Sequence, residues 1–276
     1  MQTKYSIDQL IGEISPLPEA VVEVLDIIDK PKTDMTMLQQ AINKDTVLAA
    51  RILSVANSPF YGFPGLVKTV KDACILLGVH NIRHVVTAAG VISTFSSTTN
   101  ASPRHTELWG HSVDVAVASK VVADYCNYNR EVAFTAGLLH DIGKLALSSS
   151  RPELMREISE FASKKSCSLC AAEESILGFN HCSIGGGIAL RWRLPEEFIL
   201  GIRFHHQPDL CSGSNIADVI YIADKLVHLI ASDMGQNEYA SYLEGSETKI
   251  FNCFENNIDE IVGAVKELSS QAGAFH

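Results

Sequence analysis

Apolar residues recur at three- and four-residue spacing along most of this chain, and this period constrains its fold more than any other feature. The segments 19–29, 48–57 and 70–93 each carry such a stripe, the last with a break near Gly78. There is no series of alternating strand segments separated by Asn-Gly or Asp-Gly turns. The chain is therefore predicted to be all-α. The stripe of the first segment consists of Val21, Val22, Leu25 and Ile28.

Polar residues interrupt the helical pattern at 97–105, and this stretch predicts a linker or loop between two helical lobes. We expect an N-terminal lobe over residues 1–100, a second lobe over 101–232 and a helical extension over 233–276. The string SPFYGFPG predicts a loop at 58–65. Further helices are predicted at 36–45, with Asp34 as its cap, and at 109–125, 132–147, 152–164, 173–192, 194–208 and 216–232.

The composition is that of a globular chain. Of the 276 residues, 46% are hydrophobic, which is enough for one large core or two tightly joined lobes. The sequence contains no run of about 18 uncharged apolar residues, so a membrane span is not predicted. Residues 1–20 lack an apolar run followed by a small-residue cleavage site. We therefore expect a protein that is not secreted and that works in the cytoplasm.

Seven cysteines are scattered along the chain, and this odd, dispersed set does not indicate a disulfide framework. A reducing compartment fits it better. Cys167 and Cys170 form a CxxC motif, but no second pair of zinc ligands is obvious nearby and no βαβ unit precedes the motif. We interpret these two residues as ordinary cysteines on a helix or turn.

The formal net charge of −10 disfavours generic nucleic-acid binding, which depends on contacts between basic side chains and phosphates. A small phosphorylated ligand remains compatible with this charge, because a pocket can be locally positive inside an acidic protein.

A His-Asp pair lies inside the apolar segment GLLHDIGK, residues 137–144. An ionised carboxylate is costly to bury in such a segment unless its charge is compensated. Helices that pack as a bundle direct such side chains to one centre, and imidazole with carboxylate suits Fe, Mn, Zn or Ni. An aspartate can bridge two such ions. The candidate metal ligands are His111, His140, Asp141, His181, His205, His206 and Asp224.

Lys144 lies one turn after the pair, three residues beyond Asp141 and four beyond His140. It would supply positive charge where a phosphate oxygen could rest, so Asp141 and Lys144 are the candidate catalytic residues. A single histidine is more often a hydrogen-bonded core residue than a ligand, and Asp224 could simply pair with Lys225. The histidines assigned to this ordinary class are His80, His84, His105, His228 and His276.

Strings from both halves of the chain carry a family resemblance over roughly residues 10–230. In order, they are SPLPEAVVEVL, NKDTVLAARILSVANSPFYGF, VKDACILLGVHNIRHVV, LWGHS, AFTAGLLHDIGKLAL, GFNHCSIGGGIALRWRLPEEF and FHHQP. The chain resembles the HDOD family, the HD-related output domains of bacterial signalling proteins, within the HD superfamily of metal-dependent phosphohydrolases.

This resemblance implies one helical unit of two packed lobes, of which the second is the HD-type bundle. It also places all seven candidate ligands at ligand-like positions. Glu107, four residues before His111, would be an auxiliary ligand. A related HD branch that hydrolyses cyclic di-GMP carries a GYP motif after its HH pair. This chain has HHQP and no GYP, which argues against that activity.

The resemblance leaves several functions open. The favoured hypothesis is a regulatory signalling module that docks a partner protein and holds one or two divalent ions, Fe, Mn or Zn. Its residues 233–276 would cover a face of the second lobe or form a homodimer. The alternative is a metal-dependent phosphohydrolase acting on a nucleotide or cyclic nucleotide, in which Lys144 steadies phosphate charge. Between them lies a module that binds metal and a phosphorylated ligand without turnover.

Overall fold

The computed structural model describes residues 5–57, 65–96, 103–232, 250, 253 and 257–272. All regular elements in these ranges are helices, which confirms the all-α prediction. The helices are α1 (Ile7–Glu13), α2 (Glu19–Ile28), α3 (Met35–Asn43), α4 (Thr46–Ala56), α5 (Val70–Ser96), α6 (Pro103–Tyr125), α7 (Arg130–Leu139), α8 (Ile142–Ser150), α9 (Pro152–Lys165), α10 (Leu169–Leu177), α11 (His181–Arg191), α12 (Glu196–Phe204), a short 3-10 helix (Pro208–Leu210), α13 (Ile216–Ala231) and α14 (Ile258–Ala272).

Local signals set several helix ends as predicted. The Asp34 carboxylate accepts hydrogen bonds from the backbone N–H groups of Thr36 and Met37, at 2.8 and 3.2 Å, and so caps α3. The predicted stripe of α2 is wrong at one position, because Val22 is 43% exposed. The core side of α2 instead carries Val21, Val24 and Ile27. Residues three apart share a face of a helix, whereas adjacent residues lie about 100° apart around its axis.

The break predicted near Gly78 is confirmed. This glycine has φ 73° and ψ 167°, a conformation that residues with a Cβ rarely adopt, and it kinks α5. Among the described residues, the stretch Val70–Phe95 alone is long and apolar enough to cross a membrane, with a mean hydropathy of 1.4. More than half of its most apolar window, 59%, is buried inside the fold, as in the core helix of a globular lobe.

Two segments predicted as single helices are each split in two. The segment 132–147 breaks at His140-Asp141, between α7 and α8, and 173–192 breaks after Gly178, which has φ 85°. In both cases the apolar pattern continues through the break, so periodicity alone does not reveal it. Each break places a histidine at the junction. Of the predicted linker 97–105, residues 103–105 begin α6, and 97–102 lie outside the described residues.

The helices form two lobes that share one hydrophobic core. Helices α2 to α5 pack on one another, and α6 packs against α7, α8, α13 and α14. Helix α5 joins the lobes by packing on α7 and α8. Helix α1 packs on α11, where the Arg191 side chain donates hydrogen bonds to the carbonyl oxygens of Ile11 and Ile14, at 2.6 and 3.0 Å.

One asparagine closes the loop region between α4 and α5. The Asn57 amide donates to the carbonyl oxygens of Leu53 and Val67, at 2.9 and 2.6 Å, and its side-chain oxygen accepts the Val67 N–H at 3.0 Å. The intervening residues 58–64, most of the predicted loop, lie outside the described part of the chain.

Candidate metal centre

Five regions of the second lobe bring histidine and aspartate side chains to one point. His111 lies in the middle of α6, and Asp224 lies in the third turn of α13. The other side chains come from the α7–α8 junction, the start of α11 and the end of α12. The side chains that meet are His111, His140, Asp141, His181, His205 and Asp224.

Backbone carbonyl groups orient two of these histidines. The Nδ1–H of His140 donates to the Gly137 carbonyl at 2.7 Å, and the Nδ1–H of His205 donates to the Ile202 carbonyl at 2.8 Å. A carbonyl oxygen can only accept, so Nδ1 carries the proton and Nε2 presents its lone pair. This is the outer-shell arrangement that fixes the tautomer of a metal-binding imidazole.

Close packing of two helices places the His-Asp pair against α11. A Cβ at Gly143 would lie 2.0 Å from the carbonyl oxygen of His181 and 3.0 Å from the backbone nitrogen of Gly185. Only glycine permits α8 and α11 to approach this closely. The same approach brings Asp141, just before α8, within reach of His181, the first residue of α11.

Asp141 lies between two groups of ligand atoms. On one side, its Oδ2 is 3.4 Å from Nε2 of His140, and Oδ1 of Asp224 is 3.0 Å from Nε2 of His111. On the other side, Oδ1 of Asp141 is 3.4 Å from Nε2 of His181 and 3.6 Å from Nε2 of His205. If ions were bound in both groups, this carboxylate would offer one oxygen to each.

Several buried atoms at this centre have no hydrogen-bond partner in the described structure. They are Nε2 of His111, His140 and His181, and Oδ1 of Asp141 and Asp224. Buried polar atoms left unpaired are costly. These five share the chemistry of metal ligands and face one another, so the residues fit a divalent cation with nitrogen and oxygen ligands.

The two carboxylates are held ionised. Burial alone would raise the pKa of Asp141, but the neighbouring His140 and Lys144 outweigh it and lower that pKa well below its ordinary value. Burial is likewise outweighed at Asp224, whose pKa is lowered chiefly by the imidazole of His111, with its Nε2 3.0 Å from Oδ1. The Lys144 ammonium donates to Asp141 Oδ2 at 2.7 Å.

The buried histidines differ in charge. Burial lowers the pKa of His140 to about 3 and also lowers that of His205, so both are neutral near pH 7. At His181 burial and Lys144 oppose protonation, but hydrogen bonds with Cys170 and Glu173 raise the pKa to about 9. Without a metal, His181 is therefore a cation beside the Glu173 carboxylate.

Two residues proposed from the sequence, His206 and Glu107, do not lie with the other candidate ligands. The His206 ring is 4.2 Å from the His205 ring, but its candidate ligand group consists of Cys170, His181 and Cys182 and does not include Asp141. Glu107 is exposed and belongs to none of the candidate ligand groups among the described residues. The expectation of an auxiliary ligand at Glu107 is therefore not met. Lys144 lies beside the centre, where its ammonium contacts Asp141.

Sequence reasoning missed three features of this region. Glu173 is fully buried and accepts both the Nδ1–H and the backbone N–H of His181, at 2.7 and 2.8 Å. His228, assigned to the ordinary class, lies 3.4 Å from Asp224 Oδ1, and its ring stacks on that of His111 at 4.9 Å. Its position four residues after Asp224 was a usable signal. The third feature is a pair of thiols, Cys170 and Cys182, beside His181.

A cavity of about 610 Å³ opens beside the centre. Its wall includes His181, His206 and His228, together with the cations Lys144 and Arg203. In this wall His181, a residue of the centre, is thus accompanied by two positive side chains. Such a wall suits a small anionic ligand such as a phosphorylated compound.

Solved structures of other proteins share this fold. Among solved structures, a candidate phosphohydrolase from Shewanella amazonensis is 25% identical, with a TM-score of 0.76 and coverage of 96% of this chain and 97% of that one. An HDOD domain protein of unknown function from Geobacter sulfurreducens is 25% identical, with a TM-score of 0.70 and coverage of 95% and 96%.

A curated relative extends well beyond the matched region. An uncharacterised protein of Treponema pallidum is 24% identical over 203 residues, which are 73% of this chain but only 39% of that protein. Residues 14–208, more than half of the chain, fit the HDOD domain. That range extends from α2 to α12 and includes all the residues that meet at the centre except Asp224. The chain therefore belongs to the HDOD family.

Proposed function

We propose that this chain is a regulatory module of signal transduction whose second lobe holds a divalent metal centre. The lobes are assigned to residues 1–100 and 101–232, with an extension over 233–276. Helix α14, the described part of that extension, packs on α6 and α13, which supports a role in covering the second lobe. The family membership supports a role in signalling, and a partner protein would dock on the module in the cytoplasm.

The set of unpaired ligand atoms at the centre carries the metal part of this proposal. Three imidazole nitrogens and two carboxylate oxygens are buried with no hydrogen-bond partner among the described residues. A cation would compensate both carboxylates at once. His111, His140, Asp141 and Asp224 would hold one ion, and Asp141, His181 and His205 a second, with Fe, Mn or Zn as the matching metals.

The first test is the metal content of untagged protein purified without chelator. We expect one to two equivalents of Fe, Mn or Zn in the wild type and a clear loss in Asp224→Asn, which keeps the shape of the side chain but removes its charge. Asp209→Asn, at an exposed position outside the candidate ligand groups of the described residues, should keep the wild-type content. Equal metal in all three proteins, or none in the wild type, would refute the proposed centre.

The cavity beside the centre favours hydrolysis of a phosphate ester as a second candidate function. When bound, the metal would supply Lewis-acid activation of the phosphate and of water. Lys144 would place its ammonium against a phosphate oxygen, and the buried His140 and Asp141 would keep bulk water from the inner side of the centre. The candidate phosphohydrolase from Shewanella amazonensis, similar over nearly its whole length, supports this reading.

Turnover can be tested with the chromogenic esters p-nitrophenyl phosphate and bis-p-nitrophenyl phosphate, followed by nucleotides and cyclic nucleotides. If the chain is catalytic, Lys144→Gln should lose turnover by at least about tenfold while its metal content stays unchanged, because the lost ammonium acts on the developing charge. Lys165→Gln, on the exposed end of α9, is the matched control. Turnover that survives Lys144→Gln would remove this lysine from the catalytic role.

A further inference from the structure

Two thiols and an imidazole form a second ligand group on the cavity side of the centre. Cys170 comes from α10, Cys182 from the first turn of α11, and His206 follows α12. Their candidate ligand atoms, with that of His181, all lie within 4.8 Å of one another. All four residues line the cavity of about 610 Å³.

Both ring nitrogens of His181 already face carboxylates. Its Nδ1–H donates to Glu173 at 2.7 Å, and its Nε2 faces Asp141 at 3.4 Å. The candidate ligand group includes no carboxylate beside the side chains of Cys170, Cys182 and His206. Each thiol lies near an imidazole nitrogen, at 3.8 Å for Cys170 to His181 and 3.9 Å for Cys182 to His205. The two thiols also interact with each other. Neither cysteine forms a disulfide.

We propose that Cys170, Cys182 and His206 bind a thiophilic divalent cation of the zinc class, at a site of their own at the mouth of the cavity. Two thiolates and one imidazole are ligands that Zn²⁺ accepts in tetrahedral sites. Because the three residues line the cavity, a bound ion would take its remaining ligand, water or an anion, from there. Soft sulfur ligands distinguish this site from the adjoining centre of imidazoles and carboxylates, which suits harder ions.

The placement of the ligands supports a site that forms only in the folded chain. The three residues come from three separate elements, and Cys182 is buried whereas Cys170 is half-buried toward the cavity. A cation there would tie α10, α11 and α12 together at the rim of the cavity. The other cysteine of the CxxC motif, Cys167, belongs to none of the candidate ligand groups in the described structure. It provides an internal control.

Cobalt substitution tests the proposal directly. Metal-free, fully reduced protein is titrated with Co²⁺, and the near-ultraviolet band that arises from sulfur-to-cobalt charge transfer is recorded. We expect the band in the wild type and in Cys167→Ser, its weakening in Cys170→Ser or Cys182→Ser, and its loss in the double variant. Zn²⁺ should abolish the band by displacement. A wild type without the band, or a band that survives the double variant, would overturn the proposal.

A second measurement needs no variant and so does not depend on the folding of one. Iodoacetamide labelling of the wild type with and without Zn²⁺, read by peptide mass, should show protection of the half-buried Cys170 and none of the exposed Cys253. Labelling that is unchanged by Zn²⁺ would overturn the proposal. Asp224→Asn separates the two sites, since it should lose metal from the adjoining centre and keep the cobalt–thiolate band.

Discussion

The close approach of α8 and α11 at Gly143 makes a sharp prediction about both stability and the metal centre. In Gly143→Ala, the new methyl carbon would lie 2.0 Å from the carbonyl oxygen of His181. An ordinary contact begins near 3.4 Å, so the two helices must separate by about 1.4 Å. The obstructing atom belongs to the backbone, and no side-chain rotation can relieve the clash.

The expected cost follows from the nature of this obstruction. Overpacking a well-packed interior typically costs about 1–3 kcal/mol, and we expect Gly143→Ala at the upper end, roughly 3 kcal/mol. For a domain of this size, each kcal/mol lowers Tm by about 2–4 °C, which gives a fall of roughly 6–12 °C. The metal content should also fall, because separation of α8 from α11 moves Asp141 away from His181.

Urea unfolding and thermal melts of the metal-free protein measure the first effect, and elemental analysis of the loaded protein measures the second. Gly263→Ala in α14 is the control, since a Cβ there has no neighbour within 4 Å. Alanine at a helical position should stabilise the protein by up to about 1 kcal/mol. A Gly143→Ala protein within about 0.5 kcal/mol of the wild type, with normal metal content, would refute the close approach.

Three further perturbations test other parts of the structure. Glu173→Gln should weaken metal binding about 10–100-fold in chelator competition, because it removes the charge that holds His181 in place. The control is Glu174→Gln at the exposed neighbour, which should leave the affinity unchanged. Equal affinities of Glu173→Gln and the wild type would contradict the role of Glu173. Burial, aided by the nearby Arg83, lowers the pKa of His84 from 6.5 to about 4, so the unfolded chain binds this proton more tightly than the folded one. The folded state keeps its full stability above pH 6.5 and loses at most roughly 3 kcal/mol as the pH falls to about 4. The free energy of unfolding, measured with urea at several pH values, should therefore depend less steeply on pH in His84→Leu than in the wild type. An equally steep dependence would assign the loss to other groups. Asn57→Ala removes three hydrogen bonds to the backbone and should cost about 2–3 kcal/mol in urea unfolding without changing the metal content; a cost below about 0.5 kcal/mol would contradict that bonding.

Features that depend on a few neighbouring residues were predicted well from the sequence. The Asp34 cap, the break at Gly78 and the all-α class each follow from local backbone preferences or from the spacing of apolar residues. These signals act over one or two turns and need no knowledge of what packs on a helix. Lys144 was assigned to the centre on the same local ground, because three residues along a helix bring its side chain beside Asp141.

Which side of a helix faces the core depends on the helices packed against it, and the spacing of apolar residues did not predict this side correctly. Val22 is as apolar as Val24, yet only Val24 faces the core, because α3 and α5 cover that side of α2. The predicted helix over 132–147 is interrupted at Asp141, since the chain turns there toward α11. No local pattern distinguishes that turn from continued helix.

The sequence by itself determined the helices, several of their ends and the residue types of the candidate metal centre. Only the tertiary structure decided which of those residues meet. It placed His228 and Glu173 beside the centre, left Glu107 in solvent, and separated Cys170 from Cys167 although both belong to one motif. The reason is that periodicity and capping are properties of a short segment. The convergence of side chains spread from α6 to α13 depends instead on close contacts between distant helices, such as the one at Gly143.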